Sequence, residues 1–311
     1  MKRYLTILLG CLLPMAALWA QDSITLANKW SAQAQFAGFY VALDKGFYQD
    51  EKLHVKIIHP THSGNSFMYL DNGQAQVAIT NLSHGLLEAL GGAPLVNIMQ
   101  TSQQNSLYFV SRKPLPDIAA LRGLKVSIWN HLTETITKRF ADYFGLQSTQ
   151  WLRFNEGVNV FMAGAADPCM VGSYNEVFQL DENGLDMSRL HLLSLGKHGY
   201  NLPEEGLYVK RDYYEAHVDE LKRFVKASIR GWQWAAEHEE ETLDIVMEWA
   251  RKNRVATNRY HQRRMLREIL RLQEDSTGKR PYRLSRESYQ AALRILGTST
   301  DKNVTYEEFV K

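Results

Sequence analysis

Five groups of side chains in this chain have the types needed to hold a small molecule, and each follows a stretch that reads as a strand. Trp30 comes after residues 23–27 and offers a flat face for stacking on a planar ring, the alternative being a core aromatic. Phe36 and Tyr40 follow it and are expected to divide, one turned toward a ligand and one toward the core. Ser63, Gly64 and Asn65 lie between a strand at 55–58 and a helix that starts near Phe67. A helix N-terminus carries free N–H groups and the positive end of the helix dipole, so an anion or a carbonyl can bind there. The competing role is an N-cap made by Ser63 or Ser66. Asn81 and His84 have the same placement after 77–80, and Trp129 and Asn130 end a strand at 125–129. Tyr174 and Glu176 follow 169–172. A carboxylate there accepts hydrogen bonds from N–H groups, unless it merely caps a helix or faces water.

Several kinds of chemistry lack their residues. There is no Gly-x-x-x-x-Gly-Lys-Ser/Thr loop for nucleotide phosphates, no Gly-x-Ser-x-Gly elbow and no His-Glu-x-x-His pair. His59 and His62 are close in sequence, but no carboxylate or thiol neighbours them, so no metal site is expected. The two cysteines, Cys11 and Cys169, cannot form a zinc cluster. Cys169 reads as a small core residue.

The elements that must position these groups alternate. Apolar residues at every second position mark strands at 23–27, 55–58 and 77–80. Helices follow at 39–45, 67–70 and 84–90, stopped by Gly46, by Asn72-Gly73 and by Gly91-Gly92. The alternation restarts after Pro114 and Pro116, with strands at 125–129, 169–172, 191–195 and 207–209. Helices at 134–144 and 175–182 end at Gly145 and at Asn183-Gly184. Strands separated by helices imply parallel pairing in an α/β layered sheet. From Val218 onward the pattern is helical, with Leu221, Phe224, Val225, Ile229 and Trp232 at helical spacing. Two α/β units and a helical tail are the order expected of a two-lobed binding protein, with crossings near 106–112 and 199–208.

The chain has 311 residues, 36 Lys plus Arg against 34 Asp plus Glu, and a net charge of +2. That balance gives no reason to expect nucleic-acid binding. The acidic run 237–241 and the bases Arg263, Arg264, Arg267 and Arg271, interleaved with apolar residues, read as solvated helix faces. Lys2 and Arg3 precede an apolar stretch that ends at Ala20, which reads as a secretory signal peptide over 1–20. Its removal takes away two bases and no acid, leaving 34 of each. Leu8-Leu9-Gly10-Cys11 loosely resembles a bacterial lipobox, so a lipid anchor at Cys11 stands as an alternative. The chain is expected in the periplasm, as a monomer.

The segment Trp30-Ser-Ala-Gln-Ala-Gln-Phe-Ala-Gly-Phe-Tyr-Val-Ala-Leu-Asp-Lys-Gly-Phe-Tyr48 resembles the first lobe of solute-binding proteins of ABC importers, in the superfamily of sulfonate, nitrate and thiamine-pyrimidine-precursor binders. Asn72-Gly-Gln-Ala-Gln-Val-Ala-Ile79 and Ser173-Tyr-Asn-Glu-Val-Phe-Gln-Leu180 resemble two more of its segments, the last being closest to the pyrimidine-precursor branch. Lys52-Leu53 stands where the family has a Gly-Leu turn. The resemblance covers about residues 23–210. It implies a type II periplasmic binding protein fold: two lobes, each a mainly parallel sheet flanked by helices, with 21–108 and 205–311 in the first lobe and 109–204 in the second. It also implies a ligand held between the lobes, an aminopyrimidine-like molecule on Trp30 and Glu176, with a permease and a separate ATPase as partners. A sulfonate- or nitrate-type anion, or a sensing role through a signalling partner, are the alternatives.

The same branch contains hydroxymethylpyrimidine synthases, in which a lysine holds pyridoxal phosphate, a histidine follows four residues later and a loop is rich in cysteine. Those positions fall on Thr80, on His84 and near 196–202, where there is no cysteine. Without the lysine amine no Schiff base forms. No cofactor and no catalytic activity are therefore expected.

Overall fold

The computed structural model describes residues 22–60, 65–130, 132–155, 157–297 and 304–311. The signal segment with Cys11, and the candidate residues Ser63 and Gly64, lie outside the described residues.

Ten strands form two sheets. They are β1 (Asp22–Ala27), β2 (Leu53–Ile58), β3 (Val77–Asn81), β4 (Leu95–Gln100), β5 (Leu107–Ser111), β6 (Lys125–Trp129), β7 (Gln150–Phe154), β8 (Cys169–Gly172), β9 (His191–Ser194) and β10 (Glu205–Lys210). One sheet has the order β2-β1-β3-β10-β4 and the other β7-β6-β8-β5-β9. The chain leaves the first sheet between Gln100 and Leu107 and returns between Ser194 and Glu205.

Both sheets are mainly parallel, and each contains one reversed strand. β10 runs antiparallel to β3 and β4, and β5 runs antiparallel to β8 and β9. These are the first strands after each crossing. They enter from the opposite lobe, without the helical crossover that makes successive strands parallel. The β4, β5 and β7 stretches carry no strand in the expectation from sequence. β4 is buried along its whole length, so its residues do not alternate. Its Asn97 and Gln100, which read as polar, are buried and bonded to each other at 3.3 Å.

Local chemistry explains the element ends. Thr133 caps the helix Glu134–Phe144 by accepting from the Ile136 N–H, and Gly145, at φ 66°, ends it. Lys52, at the family's glycine position, has φ 58°, in the left-handed region that costs an L-residue about 1–2 kcal/mol. Lys52→Gly is expected to leave stability unchanged or raise it by up to about 1 kcal/mol, the released strain exceeding the added chain entropy. Urea denaturation checks this, and a loss above about 1 kcal/mol would contradict it.

Two apolar cores result. One fills the second sheet and continues onto one face of the first, under the helices Leu82–Leu90 and Arg286–Ile295. The other lies on the opposite face of the first sheet, beneath the helices Ala37–Asp44, Val218–Glu237, Glu239–Lys252 and Arg259–Leu272. The charge runs read as separate solvated faces meet each other here. Arg263 and Arg267 pair with Glu239, and Arg259 and Arg263 pair with Glu240. Such exposed pairs contribute little stability singly. Cys169 is buried, and burial pushes its thiol up to about 12. Among the described residues no helix is long and apolar enough to cross a membrane.

Candidate functional site

The C-terminal ends of β1, β3, β6 and β8 open onto one cavity of about 140 Å³ between the two sheets. Strand ends at such a junction are where α/β folds place ligands. Trp30, Asn65, Asn81 and His84 line it from the first sheet, and Trp129, Tyr174 and Glu176 from the second.

Glu176 is 5% exposed. Its Oε2 accepts from the Gly172 N–H at 3.0 Å and its Oε1 from Asn175 Nδ2 at 3.1 Å; the Trp129 side chain donates to it as well. Burial pushes this carboxyl up from the ordinary range, against those hydrogen bonds. The Tyr174 hydroxyl accepts from Gln35 Nε2 at 3.0 Å, which joins the second sheet's side to the first. Burial, with the nearby carboxylates of Glu204, Glu205 and Glu176, raises the Tyr174 phenol well above its usual value.

The other candidates divide. Asn65 lines the cavity and also accepts from the Phe67 N–H at 3.0 Å. The helix start is thus served by Asn65, while Ser66 instead ties to the Ile79 carbonyl at 2.7 Å. Asn81 Oδ1 accepts from Lys29 Nζ at 2.5 Å. Phe36 and Tyr40 do not divide between ligand and core, because both are fully buried away from the cavity. The helix that Phe36 precedes is covered on its outer side by the helices Val218–Glu237 and Glu239–Lys252. Tyr40 stacks on Trp249 and its hydroxyl lies 3.0 Å from His59 Nε2. His59 Nδ1 in turn lies 2.7 Å from the Trp30 carbonyl, so Tyr40 acts on the site by holding the loop that carries Trp30. Asn130 is exposed and absent from the lining. Its N–H donates to the Phe154 carbonyl at 2.6 Å, extending the β6–β7 pairing.

Lys29, Gln33, Gln35, Thr80, Asn175 and Glu204 also line the cavity, and none of them was among the candidates from sequence. Gln33 and Gln35 are the only polar side chains between Ser31 and Tyr40, which is the signal that marks them. Lys29 Nζ lies 2.7 Å from Glu205 Oε1, which also accepts from Gln35 Nε2 at 2.6 Å. The cavity therefore holds a single lysine, already paired, among its described lining residues. These residues do not fit pyridoxal phosphate: position 80 is Thr, and the Lys29 amine is committed to Glu205 and Asn81. Among the described residues no cluster of His, Cys, Asp and Glu could hold a metal ion.

A second set of contacts bridges the sheets outside the cavity. His261 Nδ1 lies 2.9 Å from Glu182 Oε2 and its Nε2 lies 3.0 Å from Asn175 Oδ1. Arg264 pairs with Asp181 at 2.8 Å, and Ser173 donates to Glu268 at 2.6 Å. The helix Arg259–Leu272 thus grips the helix Glu176–Glu182 across the gap.

Known proteins are similar to this chain in sequence and in fold. The formylaminopyrimidine-binding protein of Halalkalibacterium halodurans is 24% identical over 236 residues, 73% of this chain and 71% of that protein. The riboflavin-binding protein RibY of Chloroflexus aurantiacus is 26% identical over 238 residues, 73% of this chain and 66% of its own. The 4-amino-5-hydroxymethyl-2-methylpyrimidine phosphate synthase of Candida albicans is 22% identical over 241 residues, 71% of this chain and 69% of that enzyme. In fold, the periplasmic aliphatic sulphonate binding protein SsuA of Escherichia coli superposes with a TM-score of 0.68 at 12% identity, over 93% of this chain and 92% of its own. The two lobes and the helical C-terminal region are therefore the periplasmic binding protein fold. The NMT1/THI5-like family matches residues 33–242, well over half the chain and including most of the cavity's wall, and the chain belongs to that family.

Proposed function

We propose that this protein is the extracytoplasmic solute receptor of an ABC importer and that its interlobe cavity takes a small planar heterocycle bearing N–H donors, a thiamine pyrimidine precursor. It is a binder and not a catalyst. The observation that carries this is the cavity wall itself, in which Trp30, Trp129 and Tyr174 stand with the buried carboxylates of Glu176 and Glu204. Aromatic faces accept a flat ring, and a buried carboxylate at the cavity wall favours an occupant that brings N–H donors. The formylaminopyrimidine-binding relative agrees with that chemistry. A free cation would favour a sulfonate or nitrate, and among the described lining residues the one lysine is paired with Glu205. The volume of about 140 Å³ also suits one ring better than a drug-sized molecule.

On this reading residues 21–108 and 205–311 form one lobe and 109–204 the other, and segments 101–106 and 195–204 act as the hinge. The Tyr174–Gln35 and His261–Glu182 contacts hold the closed form that a permease would read. Residues 1–20 act as the export signal.

Titration with an aminopyrimidine, followed by tryptophan fluorescence, tests the site. Binding is expected to change the emission, and Trp30→Ala is expected to weaken affinity about tenfold, from roughly 1.5 kcal/mol of lost ring contact. Unchanged affinity in Trp30→Ala would refute the assignment of the stacking face.

A further inference from the structure

Three buried acids surround the cavity, and their surroundings differ. Glu205 is held by Lys29 and Gln35. Glu176 takes donors on both oxygens from its own lobe. Glu204 is 5% exposed and lines the cavity, and its Oε2 accepts from the Ser106 N–H at 3.3 Å and from the Ser106 hydroxyl.

The backbone of Glu204 is pinned on both sides. Its N–H donates to Ser102 Oγ at 2.7 Å, and its carbonyl accepts from the Leu82 N–H at 3.1 Å. Ser102 and Ser106 lie on the outward crossing and Glu204 ends the return crossing, so these bonds staple the two crossings together. The carboxylate thus has a fixed position that does not depend on the ligand.

Resting on the reading of the cavity as a site for a planar N–H-bearing ring, we propose that Glu204 is the residue that selects the ligand's amine, with Oε1 as its acceptor, and that the site is built for neutral or cationic amine-bearing rings and against anions. Lys29, paired with Glu205, is the one ammonium among the described lining residues, set against three acids. An isolated carboxylate in a dry site is costly, and a ligand N–H or N–H⁺ removes that cost while a ring lacking it leaves the acceptor bare. Sites of this type reject the analogue without the donor strongly. The charge balance agrees. Burial, then the neighbouring Glu205, pushes the Glu204 carboxyl up to about 7, against Lys29 and the Ser106 bonds. The Tyr174 and Tyr200 phenols feel its charge, and His84 and Glu176 line the same cavity.

The test compares 4-amino-2-methylpyrimidine with 2,4-dimethylpyrimidine, in which a methyl replaces the amine, by calorimetric titration of the full chain at pH 8. The wild-type protein is expected to prefer the amine by more than about tenfold, and Glu204→Gln to reduce the preference to below about threefold. An undiminished preference in Glu204→Gln overturns the inference and leaves the aminopyrimidine reading standing. If neither ring binds the wild-type protein, the reading falls and the inference with it. Should Glu204→Gln fail to fold, the wild-type protein decides: equal affinity for the two rings, or thermal stabilisation by millimolar nitrate or methanesulfonate, overturns the inference, and preference for the amine with no response to either anion supports it.

Discussion

Gly231→Ala is expected to destabilise the protein by about 3 kcal/mol or more, the upper end of what overpacking costs. The helix Val218–Glu237 crosses the helix Ala37–Asp44 with glycine on both sides of the contact. A Cβ on Gly231 would lie 2.1 Å from the Gly38 carbonyl oxygen and 2.8 Å from Ala42 Cβ, and a Cβ on Gly38 would lie 2.2 Å from the Trp232 ring. The first clash is with backbone, so no side-chain rotation relieves it and the helices must separate. Gln33 and Gln35 immediately precede the displaced helix, so ligand affinity of the remaining folded protein is expected to fall as well. Urea denaturation reads the effect, and a loss below about 1 kcal/mol would show that the two backbones are not in contact.

The second large effect is a pair of opposed pH dependences. Burial pushes His59 down to about 4, against its bond to the Trp30 carbonyl. The folded protein keeps this ring neutral while the unfolded chain protonates it, so stability present above pH 6.5 is lost as pH falls toward 4. The interval corresponds to about 3 kcal/mol. Glu204 acts in the other direction. Its folded carboxyl holds a proton that the unfolded chain has lost, so its contribution is present below the ordinary carboxylate value and is lost as pH rises toward 7. The two oppose each other in the wild-type protein, and single variants separate them. Relative to wild type, His59→Gln is expected to gain stability steadily from pH 7 to 4.5, and Glu204→Gln to gain it from pH 4.5 to 7. Denaturation at four pH values measures both. Curves parallel to the wild type for both variants would show that neither group is buried as described.

Much of the fold was legible because its signals are local. The helix at 134–144 carries its Thr133 cap and its Gly145 stop within the sequence, and β1 and β3 are read from apolar residues beside glycine and asparagine turns. β4 was not legible because it is buried on both faces and contains Asn97 and Gln100, whose partners are each other and the Glu205 carbonyl. The reversal of β5 and β10 depends on where the chain re-enters each lobe, which no local pattern records.

The site divides the same way. Trp30, Asn81, Trp129, Tyr174 and Glu176 were legible as chemistry-bearing residues placed just after strands. Phe36 and Tyr40 were misplaced because their exposure is decided by helices that lie some 200 residues later in the chain. Lys29, Gln35 and Glu205 form one network assembled from two distant segments, with Glu204 beside it. Glu204-Glu205 reads locally as a solvated acid pair, although both residues abut the apolar run 207–209 of a central strand, which is the clue to their burial.

The central claim is that the interlobe cavity binds a planar ring through aromatic faces and buried carboxylates. Calorimetric titration of the purified protein against formylaminopyrimidine, 4-amino-5-hydroxymethyl-2-methylpyrimidine, thiamine, riboflavin, taurine and nitrate tests it most directly. The account predicts saturable one-to-one binding of an aminopyrimidine and no heat from taurine or nitrate. Saturable binding of either anion, with no response to any pyrimidine at millimolar concentration, would contradict it.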